Sequence, residues 1–181
     1  SALTGKLVAS YNPLFSTTHT HLSGTGISDY ADVLLMPTNE VLFHNGSDGE
    51  KGYKSAFSHE NETAAPGYYA VHLDDTNIDV SLTVSYRSGK HQYVFPKGSK
   101  QVVILDLAHR DKVLDAEIFI EKNQFVSGRR FSRAWANDQR LFFDIAFSKP
   151  FINVTLLDGK TTGENVKAAF EFDASVSDIL E

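Results

Sequence analysis

The chain has 181 residues, 41% of them hydrophobic and 12% aromatic, and a formal net charge of -6. It is too apolar to be disordered and too acidic to be a phosphate-backbone binder, which argues against a nucleic-acid partner. Cysteine is absent, so disulfide frameworks and thiolate chemistry drop out, and no apolar run is long enough to predict a membrane-spanning segment.

The chain opens abruptly at Ser1-Ala2-Leu3, as a processed fragment does, and carries no signal-peptide pattern. Leu7 to Phe15 is weakly patterned and predicts one edge strand that stops at Pro13. A polar loop rich in glycine follows, His19-Thr20-His21-Leu22-Ser23-Gly24-Thr25-Gly26, then Ser28-Asp29-Tyr30. Loops of this make, hung on a rigid sheet, are where binding groups sit. Val33 to Met36 reads as a strand buried on both faces. Asn45 to Gly52 is a turn cluster, and Ser58 to Pro66 reads as a polar loop.

Gly67 opens a strand with Tyr69, Val71 and Leu73 on one face. Ile78, Val80, Leu82, Val84 and Tyr86 alternate with polar residues, which predicts that all five face the core. Ser88-Gly89 turns into His91, Tyr93 and Phe95, a hairpin. Val102 to Leu107 is another apolar strand, and Glu117 to Glu121 with Phe125 to Phe131 forms a second hairpin. Leu141, Phe143, Ile145 and Phe147 alternate toward the core, and Pro150 stops them. Ile152, Val154 and Leu156 follow, then a turn at Asp158-Gly159 and a last strand at Val166, Ala168, Phe170 and Phe172. The acidic tail from Asp173 to Glu181 has no stop signal, as if the natural chain continued. Many short strands without a long helical period predict an all-β antiparallel sandwich, residues 1–181 forming one domain.

His19 and His21 stand at i and i+2, on one side of an extended segment. They can hold a metal with a third ligand such as Asp29 or Asp32, tie down the loop, or line a sugar-facing surface together with Ser23. Glu60 and Glu62 are a carboxylate pair of the kind a glycosidase uses, although adjacent acids in a loop are more often solvated or capping. Trp135, the one tryptophan, sits beside Asn137 in a polar stretch. It reads as a stacking platform for a pyranose or as a half-buried cap at the strand entrance. Arg129, Arg130 and Arg133 read as a solvated face, and the sequons at Asn61 and Asn153 as chance matches. The nucleophile elbow, the phosphate-binding loop and the dinucleotide fingerprint are all missing.

Several blocks stand in one order: HTHLSGTG, SDYADVLLMPT, FSHENETAAPGYYAVHLDD (Phe57 to Asp75), KHQYVFP (Lys90 to Pro96) and RAWANDQRLFFDIAFSKPF (Arg133 to Phe151). Together they resemble the N-terminal domain of glycoside hydrolase family 92, the calcium-dependent exo-α-mannosidases. The resemblance implies a large antiparallel sandwich of the supersandwich, galactose mutarotase-like kind. It implies a parent enzyme that hydrolyses α-mannosidic bonds of glycans with inversion and is periplasmic or secreted. Its partner would be a C-terminal helical catalytic domain, which supplies the catalytic carboxylates and binds the calcium, so that no metal falls to this chain. This domain would be scaffold and one wall of the cleft, with His19, His21, Ser23, Trp135 and Asn137 facing the mannose-containing glycan. Where the family usually has a Trp-Asp and Ser-Gly-Tyr pattern before the histidine loop, this chain reads Lys6-Leu7-Val8-Ala9-Ser10-Tyr11. A non-catalytic carbohydrate-binding module is the competing reading, and a purely structural domain the third.

Overall fold

The computed structural model describes residues 32–181, and Thr4–Leu7 as backbone. In chain order the strands are β1 (Thr4–Leu7), β2 (Leu34–Thr38), β3 (Ser55–Ser58), β4 (Glu62–Ala65), β5 (Tyr68–Leu73), β6 (Ile78–Val84), β7 (Gly89–Val94) and β8 (Gln101–Asp106). They continue as β9 (Lys112–Glu121), β10 (Phe125–Arg133), β11 (Gln139–Ala146), β12 (Phe151–Leu156), β13 (Thr162–Gly163), β14 (Lys167–Phe172) and β15 (Ile179–Leu180). Among the described residues the helical content is two short 3-10 turns, His59–Asn61 and Leu157–Gly159. The chain is all-β, as its period-2 patterning predicts.

Among the described residues every strand pairing is antiparallel. One sheet runs β15-β7-β6-β5-β4, a second β12-β14-β8-β2 and a third β11-β10-β9-β13, with β1-β3 as a small fourth. One cluster of buried apolar side chains draws on all three larger sheets. It includes an aromatic knot, Phe147 against Phe172 at 5.0 Å and Phe151 against Phe170 at 5.1 Å between ring centroids. Each such pair adds about 0.5–1.5 kcal/mol beyond burial.

β8 is the centre of the molecule. All six residues are buried, because β14 and β2 cover its edges and apolar layers cover both faces. Its polar ends are satisfied. Gln101 accepts from Lys149 Nζ at 2.7 Å and donates to the Ser177 carbonyl at 2.9 Å. Lys149 also donates to the Asp173 and Ser177 carbonyls, and burial pushes its pKa down. Those bonds fasten the acidic tail, which does not trail off: Ile179 and Leu180 pair with Val94 and Tyr93.

Four details differ from the sequence expectations. Ile78, Val80 and Leu82 are buried, but Val84 and Tyr86 are 51% and 94% exposed. Val84 already pairs with Gly89 at the hairpin end, so the alternation runs on past the edge of the core. In β12 the register slips between Phe151 and Asn153, a bulge that puts Phe151 rather than Ile152 inward; Ile152 is 70% exposed. The stretch Ser58 to Pro66 contains a 3-10 turn and strand β4, capped where Ser58 Oγ accepts from the Glu60 amide. Arg130 is wholly buried rather than solvated.

Candidate functional site

Arg130 lies between Ala116 of β9 and Leu141 of β11, on the inner face of its sheet. A buried guanidinium survives only if its donors are matched. Nη1 donates to Asp32 Oδ1 at 2.5 Å and to Ser132 Oγ at 2.9 Å, and Nε to the Leu107 carbonyl at 2.7 Å. Nη2 donates to the Arg110 carbonyl, and Gln139 Nε2 donates to Asp32 Oδ2 at 2.6 Å. Asp32, considered above as a third metal ligand, is thus committed to Arg130. The pair pins the chain just before β2 to β10.

A second buried network hangs on Asp106 at the end of β8. Tyr53 Oη donates to Oδ2 at 2.8 Å, Lys167 Nζ lies 2.8 Å from the same oxygen, and the Ala108 amide donates to Oδ1 at 2.7 Å. His109 Nδ1 sits 3.1 Å from the Asp106 carbonyl, while its Nε2 is buried without a hydrogen-bond partner. Burial lowers the His109 pKa to about 4, against the pull of Asp106.

A cleft of about 710 Å³ opens between β7 and β11. Its floor is apolar, from Val33, Leu35, Tyr93, Phe143 and Ile145, and its rim carries Arg87, Lys90, Asp144 and Glu181. Tyr93 Oη and His91 Nδ1 share a 2.6 Å hydrogen bond, and burial holds the phenol protonated well above its ordinary range. A shallower hollow of about 590 Å³ lies over β4, β5 and β6. Its polar groups include Glu60, Asn61 and the cross-strand pair His72 Nδ1 to Asp79 Oδ1 at 2.7 Å. Glu62 is not the open-loop acid its neighbours suggest. Its side chain is 9% exposed, its Oε1 accepts from Tyr69 Oη at 3.0 Å, and its Oε2 contacts His59.

Trp135 and Asn137 are both exposed, Trp135 at 65%, in the turn between β10 and β11. The half-buried-cap reading of Trp135 therefore fails. Neither residue lines the cleft. His19, His21 and Ser23 lie outside the described residues, as does their juxtaposition with Trp135. Sequence reasoning missed Arg130, which stands among other arginines, although its place opposite Leu141 in a period-2 register marks it as inward-facing.

A general acid near neutral pH needs a raised carboxyl pKa. The carboxylates with a resolved shift all move down. Lys100 and then Asn153 hold Glu171 low, Ser175 holds Asp173 low, and Lys90 and Gln92 hold Glu181 low. For metal, His44, Asp48 and Glu50 bring ligand atoms within 4.8 Å of one another, all exposed. An imidazole and two carboxylates in a surface turn do not make the six to eight oxygens that calcium takes. Two of these groups also close the turn itself, His44 Nδ1 accepting from the Gly46 amide and Asp48 Oδ1 from the Glu50 amide.

The described residues thus form an all-β antiparallel domain with a cleft between β7 and β11. The sequence profile of the glycosyl hydrolase family 92 N-terminal domain matches residues 9–180, and the chain belongs to that family. A family GH92 α-mannosidase from Bacteroides thetaiotaomicron superposes with a TM-score of 0.77 at 25% identity, over 86% of this chain and 24% of that one. The GH92 glycosyl hydrolase ccman5 gives 0.75 at 23% identity, over 90% and 24%. A GH92 inverting mannosidase from Bacteroides thetaiotaomicron VPI-5482 gives 0.67 at 24% identity, over 82% and 20%. The chain thus spans about a quarter of the length of these structures. No curated protein matches it in sequence, and no helix among the described residues is long and apolar enough to cross a membrane.

Proposed function

We propose that this chain is the scaffold and one wall of the active-site cleft in an exo-α-mannosidase that cleaves mannose-containing glycans with inversion. The general acid, the general base and the calcium ligands come from a C-terminal helical domain, and the enzyme works in the periplasm or outside the cell. The carrying observation is the state of the carboxylates. Asp32 and Asp106 are buried and fully engaged, Glu62 is held by Tyr69 and His59, and the shifted ones are all held ionised. Among the described residues these carboxylates are tied into the fold by their partners, whereas inversion needs an acid and a base across a water-excluding pocket.

The test compares two proteins on an aryl α-mannoside with added calcium: the 181-residue chain and the full-length protein. Turnover by the full-length protein alone is the expected result. Turnover by the short chain, lost in Glu62→Gln, would overturn the assignment. The polar hollow over β4 to β6 is the one observation favouring a carbohydrate-binding module. Saturable binding of mannosides by the short chain, weakened in Asp79→Ala, would decide for that reading.

A further inference from the structure

β11 carries Leu141, Phe142, Phe143 and Ile145, yet not one of its eight residues is buried. It is the terminal strand of its sheet, so its outer edge has no partner strand among the described residues. The strand register puts Phe119 of β9, Phe125 of β10 and Phe142 of β11 on the outer face of the sheet. They are 51%, 44% and 69% exposed. Exposed aromatics concentrated on one face mark a surface that is covered in use.

The charges on this face say what covers it. Arg129 is neutralised in place, with Nη1 2.8 Å from Asp115 and Nε 2.9 Å from Glu117, and it stacks 4.9 Å from the Phe131 ring centroid. Arg140 packs on the same ring at 5.5 Å and pairs with Asp138. At the other end of the face, Asp144 and Glu121 have no cationic partner among the described residues. They flank a hollow of about 270 Å³, with Ser127 and Ala146 as small residues and Phe125 as one wall. The hollow is sized for one large side chain, and its rim attracts a positive charge.

We infer that the outer face of β9-β10-β11 is the seat of the catalytic portion of the same protein, through an apolar segment that sets a lysine or arginine between Glu121 and Asp144. The occupant follows from the solved relatives, in which about three quarters of the chain lies outside this domain, and the two acids set the charge of the side chain it inserts. The inference rests on the reading of this chain as one domain of a longer mannosidase. A second copy of the chain is the other possible occupant.

Amide hydrogen exchange separates these. In the full-length protein the β11 amides exchange roughly 100-fold more slowly or better than in the 181-residue chain, while the β8 amides match. Phe142→Asp and Ser127→Trp, both on the solvent side of the sheet, abolish that extra protection in the full-length protein and leave β8 unchanged. Equal β11 exchange in the two proteins overturns the inference, as does protection in the short chain that rises with concentration alongside a dimer mass. Mannoside hydrolysis by the wild-type full-length protein is measured in parallel. Turnover without β11 protection sinks the seat and keeps the function; protection without turnover does the reverse.

Discussion

β8 and β11 are both rich in branched and aromatic side chains, Gln101-Val102-Val103-Ile104-Leu105-Asp106 against Gln139-Arg140-Leu141-Phe142-Phe143-Asp144-Ile145-Ala146. One is buried at every position and the other at none. The difference is not hydrophobicity but place in the sheet order. β8 has β14 and β2 on its edges, while β11 ends its sheet. Its inner side chains, Leu141, Phe143 and Ile145, are half-covered and line the cleft, and its outer ones meet solvent. An apolar strand states what it needs covered; topology decides whether this chain does the covering.

The largest expected effect lies where the two sheets are tied together. Asp32→Ala leaves the Arg130 guanidinium buried with neutral acceptors but no counter-charge, and should cost about 3–5 kcal/mol in urea unfolding. The double change Asp32→Leu with Arg130→Met should recover most of it, because two apolar groups need no partner. A double variant as weak as the single one would show that Arg130 holds Leu107 and Arg110 in place independently of Asp32.

A matched pair of truncations then measures the contrast itself. Leu105→Ala in β8 should cost about 2–5 kcal/mol. Phe143→Ala in β11 should cost roughly 2 kcal/mol, about half the usual price of a buried phenylalanine, because only part of the ring is out of water. Gly128 limits repacking there: a Cβ at that position would lie 2.6 Å from Phe143 Cζ and 2.4 Å from the Glu117 carbonyl. Equal costs at the two sites would mean β11 is better covered than its exposure indicates.

The smallest effect is a matter of pH. His109 has an ordinary pKa of 6.5 and about 4 when folded. The folded protein therefore binds fewer protons between those values than the unfolded chain. Its contribution is complete above pH 6.5 and is lost as pH falls toward 4, on the order of 3 kcal/mol over the full window. Over the single unit from pH 6.5 to 5.5 the loss is about 1 kcal/mol. His109→Gln should flatten that slope in thermal melts. Protonated His109 would face Arg130 and Arg110 with only Asp106 to offset them. An unchanged slope in the variant would place the acid sensitivity in another group.

Much of the fold was legible from residues alone, since Tyr69, Val71 and Leu73, or Ile78, Val80 and Leu82, state a period of two that only a half-buried strand explains. What stayed hidden depends on neighbours distant in sequence. Nothing in Phe151-Ile152-Asn153 announces the bulge that turns Ile152 outward, because the bulge is a mismatch with β14. Arg130 looked solvated because its acid, Asp32, lies 98 positions away. For the site, the family resemblance was legible in blocks and holds over residues 9–180. Trp135 was legible as polar-flanked, but its exposure at a hairpin turn could not be read from its flanks.

The strand order also sets how the chain reaches this structure. β9, β10 and β11 form a meander closed by short turns, the first with Lys122 and Asn123 both at positive φ, and β4 to β7 form another. Such units nucleate early, because closing a short loop sacrifices little chain entropy. β8 must instead find β2 and β14, far away on either side in the sequence. The wholly buried strand therefore depends on the pairings that span the most chain. During synthesis β2 is available to Gln101–Asp106 at once, but the other edge of this apolar strand waits open until Lys167–Phe172 has emerged.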